Sequence, residues 1–178
     1  MGGTVQACPV KTGTAERKGR RVLFVCTGNT CRSPMAAALF NERMRRPVEP
    51  CTACPEGRED FAAVATSAGL HAVQGDPIAT HAVTALREAG ILPTPGNDYT
   101  AHRARNVDAE MMEQADEVIA ISAAHAMELT FRFPEYADKI RTLPLDVPDP
   151  YGGDVAAYRA CLGCLRYCLE LYGAEGAE

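Results

Sequence analysis

Val22-Leu23-Phe24-Val25-Cys26-Thr27-Gly28-Asn29-Thr30-Cys31-Arg32-Ser33-Pro34 is the stretch that decides the fold. An apolar run rich in β-branched residues ends on a cysteine, an arginine comes six positions later, and Ser-Pro follows. The run has the composition of a strand buried on both faces of a parallel sheet. Ser33 is a favoured helix N-cap and Pro34 suits the first helical position, so a helix is expected to begin there. The segment between is a strand-to-helix loop whose backbone N–H groups can converge on one point before a helix N-terminus. That geometry binds a tetrahedral oxyanion. Gly28 and Asn29 are the loop residues that best tolerate the left-handed backbone such a nest requires.

The side chains add reactivity to binding. Cys26 would face inward N–H dipoles, the helix N-terminus and the Arg32 guanidinium, all of which favour thiolate over thiol. Arg32 offers a planar fork that matches two phosphate oxygens. A thiolate beneath a caged phosphoryl group is an in-line nucleophile. Read singly, Cys26 is a small core cysteine and Arg32 an ordinary helix-start arginine. The strand before, Gly-Asn inside and Ser-Pro after are what make the pair a candidate site.

Outward from this loop, apolar runs alternate with helical patterns over 178 residues of 47% hydrophobic content. This predicts a single α/β domain, a four-stranded parallel sheet with helices on both faces in a flavodoxin-like or Rossmann-like arrangement. Strands are expected near 21–26, 61–66, 116–121 and 139–143, and helices near 34–46, 77–89, 109–114, 123–132 and 154–172. Asp76-Pro77 is expected to cap the second helix and Gly90 to close it, while Gly152-Gly153-Asp154 forms a turn and N-cap for the last. The catalytic loop then falls at the carboxyl end of the first strand, where open α/β sheets bind ligands. Residues 1–19 read as a disordered polar tail, residues 20–178 as the domain, and the Pro-rich stretch 47–60 as an insertion within it.

A net charge of −5 without a basic, aromatic-interleaved stripe argues against nucleic acid as a partner. No apolar stretch approaches membrane-spanning length, and a thiolate nucleophile requires a reducing compartment, so cytoplasm and a monomeric enzyme without cofactor are expected. The eight cysteines are Cys8, Cys26, Cys31, Cys51, Cys54, Cys161, Cys164 and Cys168. Cys51-x2-Cys54 in a loop and Cys161, Cys164 and Cys168 on one helical face have the spacing for a structural zinc site. They also read as apolar core residues, and no metal is assigned. His71, His81 and His125 read as surface or loop residues.

The motif resembles that of the low-molecular-weight protein tyrosine phosphatase family, over nearly the whole chain from Arg21 to about Gly173. The family's second signature appears as Asp149-Pro150-Tyr151-Gly152-Gly153. By this resemblance Asp149 is the general acid, preferred over Asp146, and Tyr151 walls the pocket. Thr27, Gly28, Asn29, Thr30, Cys31, Arg32 and Ser33 bind the phosphate, Cys26 is the nucleophile, and hydrolysis runs through a phosphocysteine. Asn29, Ser33, Ser67 in Ser67-Ala68-Gly69, and His102 support the loop through buried hydrogen bonds. Cys31 matches a cysteine that can trap the oxidised nucleophile as a disulfide.

Thr30 separates subgroups. Tyrosine-type members carry an aliphatic residue there, whereas Cys-Thr-Gly-Asn-Thr-Cys-Arg-Ser-Pro-Met-Ala resembles the bacterial protein arginine phosphatases. A phenol ring favours an apolar wall; a phosphoguanidinium presents N–H donors that a Thr hydroxyl can accept. Ile121-Ser122 departs in the same direction, from a hydrophobic residue followed by Asp. Tyr151 points the other way, being common in tyrosine-type members. The expected substrate is protein phosphoarginine, with protein phosphotyrosine the alternative. Thioredoxin-coupled arsenate reduction is a further one, disfavoured by Arg-Ser-Pro and by the lack of a mid-chain cysteine pair.

Overall fold

β1 (Arg21–Cys26) is the axis of the molecule: it is buried from Val22 onward and has parallel partners on both sides. β2 (Val64–Gly69) lies on one side, β3 (Glu117–Ala120) on the other, and β4 (Ile140–Thr142) beyond β3, giving the order β2-β1-β3-β4. The computed structural model describes residues 19–45 and 63–175. The tail expected over 1–19 (but for Gly19), the insertion expected over 47–60, and Cys8, Cys51 and Cys54 lie outside the described residues.

Side chains alternate across β1 and so divide the core in two. Val22, Phe24 and Cys26 pack with α1 (Arg32–Arg45), α2 (Thr80–Glu88) and α5 (Val155–Glu175). Leu23 and Val25 pack on the opposite face with Met112 of α3 (Ala109–Gln114) and Leu129 of α4 (Ala123–Arg132). This is the expected sheet with helices on both faces. Each fully buried Leu, Ile or Phe in these layers contributes about 1.5–3 kcal/mol by leaving water. In α5, Cys161 and Cys168 are buried and Cys164 half-buried. Burial pushes the Cys161 thiol up to about 12, the behaviour of a core side chain. Among the described residues, no group of three His, Cys, Asp or Glu side chains is placed to hold a metal ion.

Local chemistry explains where element boundaries depart from expectation. α1 begins at Arg32, so Ser33 is inside the helix and does not cap it. Its hydroxyl bonds within the loop after β1 instead. α2 begins at Thr80, not at Pro77, and Asp76 does not cap it; Ala79 holds the cap position without a side-chain bond. The backbone over 76–79 serves the loops: Asp76 O accepts from Ala104 N at 2.7 Å, and Ala79 N donates to Thr30 O at 2.9 Å. Gly90 does close α2, at φ 79°, with Gly90 N on Arg87 O and Ile91 N on Leu86 O. β2 starts three residues later than expected and extends through Ser67-Ala68-Gly69, placing Ser67 and Gly69 beside the end of β1. Asp154 caps α5 as expected, accepting from Ala157 N.

β2 is an outer strand of the sheet, and other parts of the chain occupy most of its outward backbone groups, the backbone of Arg105 and Val107 at Gly69 and side chains before it. The Asn41 amide accepts from Ala65 N at 2.7 Å and donates to Ala65 O at 3.0 Å, while Arg105 Nε donates to Ser67 O. Since β1 and β3 diverge to opposite faces at their carboxyl ends, the crevice above them is the ligand position of such sheets. The loop after β1 sits there.

Candidate active site

Four carbonyls of the loop after β1 are tied down from outside. Cys26 O accepts from Leu70 N, Thr27 O from His71 N and Thr30 O from Ala79 N, each at 2.9 Å, and Asn29 O accepts from His102 Nε2 at 2.7 Å. Across a planar trans peptide, N–H points opposite to the preceding C=O. Anchoring these carbonyls outward therefore turns the N–H groups of Thr27, Gly28, Thr30 and Cys31 toward the inside of the loop, in front of α1. Inward N–H groups of this kind can cradle an anion.

The nest is held by a buried polar network. Asn29 is fully buried at φ 55°, the one non-glycine with positive φ among the described residues. Its Nδ2 donates to Ser33 Oγ and Ser67 Oγ, both at 3.0 Å, and its Oδ1 accepts from Arg105 N at 3.0 Å. The four expected support residues, Asn29, Ser33, Ser67 and His102, are all in this network. Gly28 is not left-handed, contrary to expectation: Asn29 alone makes the turn, its amide bonds holding the backbone there. A Cβ at Gly28 would meet only Thr30 Oγ1, at 3.8 Å. Gly69 is the glycine the loop requires, since a Cβ there would stand 2.6 Å from Thr27 O.

At the same loop, Cys26 Sγ lies 3.0 Å from Ser33 Oγ, whose hydroxyl donates to Ala68 O at 3.2 Å. The Arg32 side chain is nearly buried. Its Nη2 bonds Asp149 Oδ2 at 2.5 Å and Thr27 Oγ1 at 3.4 Å, whereas its Nε is buried with no protein acceptor. A buried donor left so costs about 1–3 kcal/mol, which an anion oxygen in the nest would recover. Asp149 is half-exposed, and its other oxygen accepts from Tyr151 N. Asp146 is engaged elsewhere, accepting from Ala123 N at the start of α4.

Cys26 to Arg32, Asp149 and Tyr151 line one cavity of about 250 Å³, together with His71, Val73 and Asp76. Those last three escaped the sequence reading because the loop 71–76 carries no motif. His71 pairs with Glu128 at 2.9 Å on the rim, and Tyr151 is 79% exposed at the mouth. Cys31 lines the cavity, with its sulfur 3.1 Å from Tyr158 OH on α5.

His125 is a correction. Expected on the surface, it is buried: Nε2 lies 2.9 Å from Thr27 Oγ1 and Nδ1 lies 2.8 Å from Ser122 Oγ. Ser122 is the N-cap of α4 and His125 sits three residues on, the position from which a side chain reaches back to the cap. That spacing was the available signal. Burial, reinforced by the Arg32 charge, pushes the His125 imidazole below its ordinary range. Burial also lowers His102, against the opposing effect of its bond to Asn29 O.

A cysteine at the floor of a backbone anion nest, on this four-stranded parallel sheet, defines a cysteine-dependent phosphatase. Residues 21–172 match the family described as low molecular weight phosphotyrosine protein phosphatase. The chain belongs to that family. It is 37% identical over 157 residues to a protein-arginine-phosphatase of Geobacillus stearothermophilus, covering 84% of this chain and 91% of that one. A solved low-molecular-weight protein tyrosine phosphatase from T. tengcongensis superposes with TM-score 0.73 at 36% identity, covering 88% of this chain and 99% of the other. A serine-for-cysteine mutant of the YwlE arginine phosphatase, with a phosphorylated active-site serine, superposes with TM-score 0.70 at 32% identity over 87% and 94% of the chains.

Proposed function

We propose that this phosphatase hydrolyses protein phosphoarginine through a phosphocysteine on Cys26. The observation that carries the preference is the charge of the cavity. Its floor suits an anion, while its rim bears the Asp76 carboxylate, which has no cationic partner among the described residues, beside Asp149, whose carboxyl is paired with Arg32. A phosphoguanidinium has that polarity, a phosphoryl group joined to a group of N–H donors; phosphotyrosine presents an apolar ring there instead. Thr30 Oγ1 adds an acceptor in the wall. The similarity to the G. stearothermophilus protein-arginine-phosphatase points the same way.

In the first step Cys26 Sγ attacks phosphorus in line with the guanidino nitrogen. The S–P bond forms, the P–N bond breaks, and Asp149 gives its proton to the departing nitrogen. The N–H groups of Thr27, Gly28, Thr30 and Cys31 and the Arg32 fork hold the three equatorial oxygens as charge shifts among them. In the second step Asp149 takes a proton from water, whose oxygen bonds phosphorus as the S–P bond breaks, releasing phosphate. Asn29, Ser33, Ser67 and His102 keep the nest in shape, and Thr30 and Tyr151 shape the pocket. The active unit is a monomeric domain over 20–178 with an insertion at 47–60. It acts in the cytoplasm on phosphorylated protein, with no nucleic acid, membrane or cofactor involved. Among the described residues no helix is long and apolar enough to cross a membrane.

Turnover of matched phosphoarginine and phosphotyrosine peptides tests the proposal. Phosphoarginine should have the higher kcat/KM, and Cys26→Ser should abolish turnover of both while phosphate binding survives. The second reading, phosphotyrosine hydrolysis, is favoured by the exposed Tyr151 ring at the mouth and would be established by the reverse preference.

A further inference from the structure

We propose that His125 is a positioning residue for the phosphate nest: from the start of α4 it fixes Thr27, and through Thr27 the guanidinium of Arg32. The inference rests on the phosphatase reading above and concerns a side chain that touches neither substrate nor nucleophile.

The imidazole is 7% exposed with both nitrogens engaged, Nε2 with Thr27 Oγ1 at 2.9 Å and Nδ1 with Ser122 Oγ at 2.8 Å. Turning the ring would break two hydrogen bonds in a region of low dielectric, so its orientation is fixed. Thr27 is β-branched and has few χ1 options. The bond to His125 selects the one that presents Oγ1 to Arg32 Nη2, 3.4 Å away.

This matters because Arg32 Nη2 has two protein anchors of different kinds. Asp149 Oδ2 is the shorter bond, but Asp149 is the half-exposed acid that must turn to the leaving nitrogen when it delivers its proton. At that moment Thr27 is the anchor left to keep the guanidinium plane, with its unpaired Nε, aimed into the nest. The charged groups around the ring are Arg32, Asp149, Glu128 and Asp146, and burial with Arg32 keeps it neutral. A neutral ring adds no positive charge beside Arg32. His125 thus ties the helix layer on one face of the sheet to a loop that otherwise continues into the opposite layer.

The test is a double-mutant cycle of His125→Ala and Thr27→Val, with His125→Gln as the conservative variant. Readouts are kcat and KM on a phosphoarginine peptide and on an aryl phosphate, the affinity for inorganic phosphate by calorimetry, and Tm. Each single change should lower kcat by about 10- to 100-fold, the scale of a misaligned catalytic group. Each should also weaken phosphate, and the double variant should be no worse than the poorer single. His125→Gln, which still presents an amide to Thr27, should recover most of the loss. Multiplying losses in the double variant, or unchanged phosphate affinity with a fall in Tm alone, would overturn the proposal and leave His125 a packing residue. If His125→Ala does not fold, the cycle is run with His125→Asn. Should the wild type hydrolyse neither ester, the phosphatase reading fails on that result, while the phosphate affinities still decide the role of His125.

Discussion

Replacing Asn29 by alanine should cost the protein about 4 kcal/mol. The side chain makes three hydrogen bonds, two buried ones to Ser33 Oγ and Ser67 Oγ and a partly buried one with Arg105 N, all at 3.0 Å. At about 1 kcal/mol each they account for roughly 3 kcal/mol. Alanine must also hold φ 55° without the local bonds that help asparagine there, adding about 1 kcal/mol. For a domain of this size each kcal/mol moves Tm by about 2–4 °C, so a fall near 12 °C is expected. Urea denaturation measures the free energy directly. Asn29→Gly separates the two contributions: it loses the same bonds but accepts the backbone, and should recover about 1 kcal/mol. The catalytic loss should exceed the stability loss, because the same bonds hold the N–H groups on the phosphoryl oxygens. The reasoning is refuted if Asn29→Ala costs under about 1 kcal/mol, or if glycine is no better than alanine.

Asp149→Asn should slow phosphoarginine hydrolysis by about two to four orders of magnitude while sparing an activated aryl phosphate more; equal losses on both would make Asp149 a positioning group. Thr30→Ile should shift kcat/KM from phosphoarginine toward phosphotyrosine peptides; an unchanged ratio would remove Thr30 from specificity. The lowered His102 bears on acid stability, since below about pH 6.5 the unfolded chain takes up a proton that the folded ring resists. This contribution is therefore complete above that pH and is lost as pH falls toward the folded value, so His102→Gln should flatten the decline in Tm below about pH 6.5. After peroxide, dithiothreitol should restore less activity in Cys31→Ser than in wild type, because no neighbouring thiol traps the sulfenic acid. Equal recovery in the two would assign the trapping to another cysteine.

The parts of this protein that could be read from its chain are those where one short segment contains its own explanation. β1 is apolar from Val22 onward because both faces are covered, and the loop after it combines a cysteine, an arginine and residues suited to turns. Asn29, Ser33, Ser67 and His102 came from resemblance, not from pattern, since their partners are up to 76 positions apart in sequence. Element starts were misplaced where tertiary bonds override local signals. Ser33 and Asp76-Pro77 look like helix caps, yet the Ser33 hydroxyl and the 76–79 backbone are committed to loops elsewhere. His125 was missed because a lone histidine on a short helix has no pattern beyond its spacing from Ser122. Val73 and Asp76 reach the cavity only through the course of a connecting loop, which no periodicity describes.

The amide of Asn41, paired with both backbone groups of Ala65, behaves as a one-residue surrogate strand. An outer strand with free N–H and C=O groups is a template on which an extended segment of another protein can lie down. Here that template is already taken by the protein's own chain, at both groups of Ala65, at the Ser67 carbonyl and at Gly69, and at the opposite margin β4 is only three residues long. A polypeptide client therefore finds little purchase as an added strand. Its modified side chain must instead enter the cavity end-on, so that selection falls on the chemistry of one residue more than on the extended conformation around it.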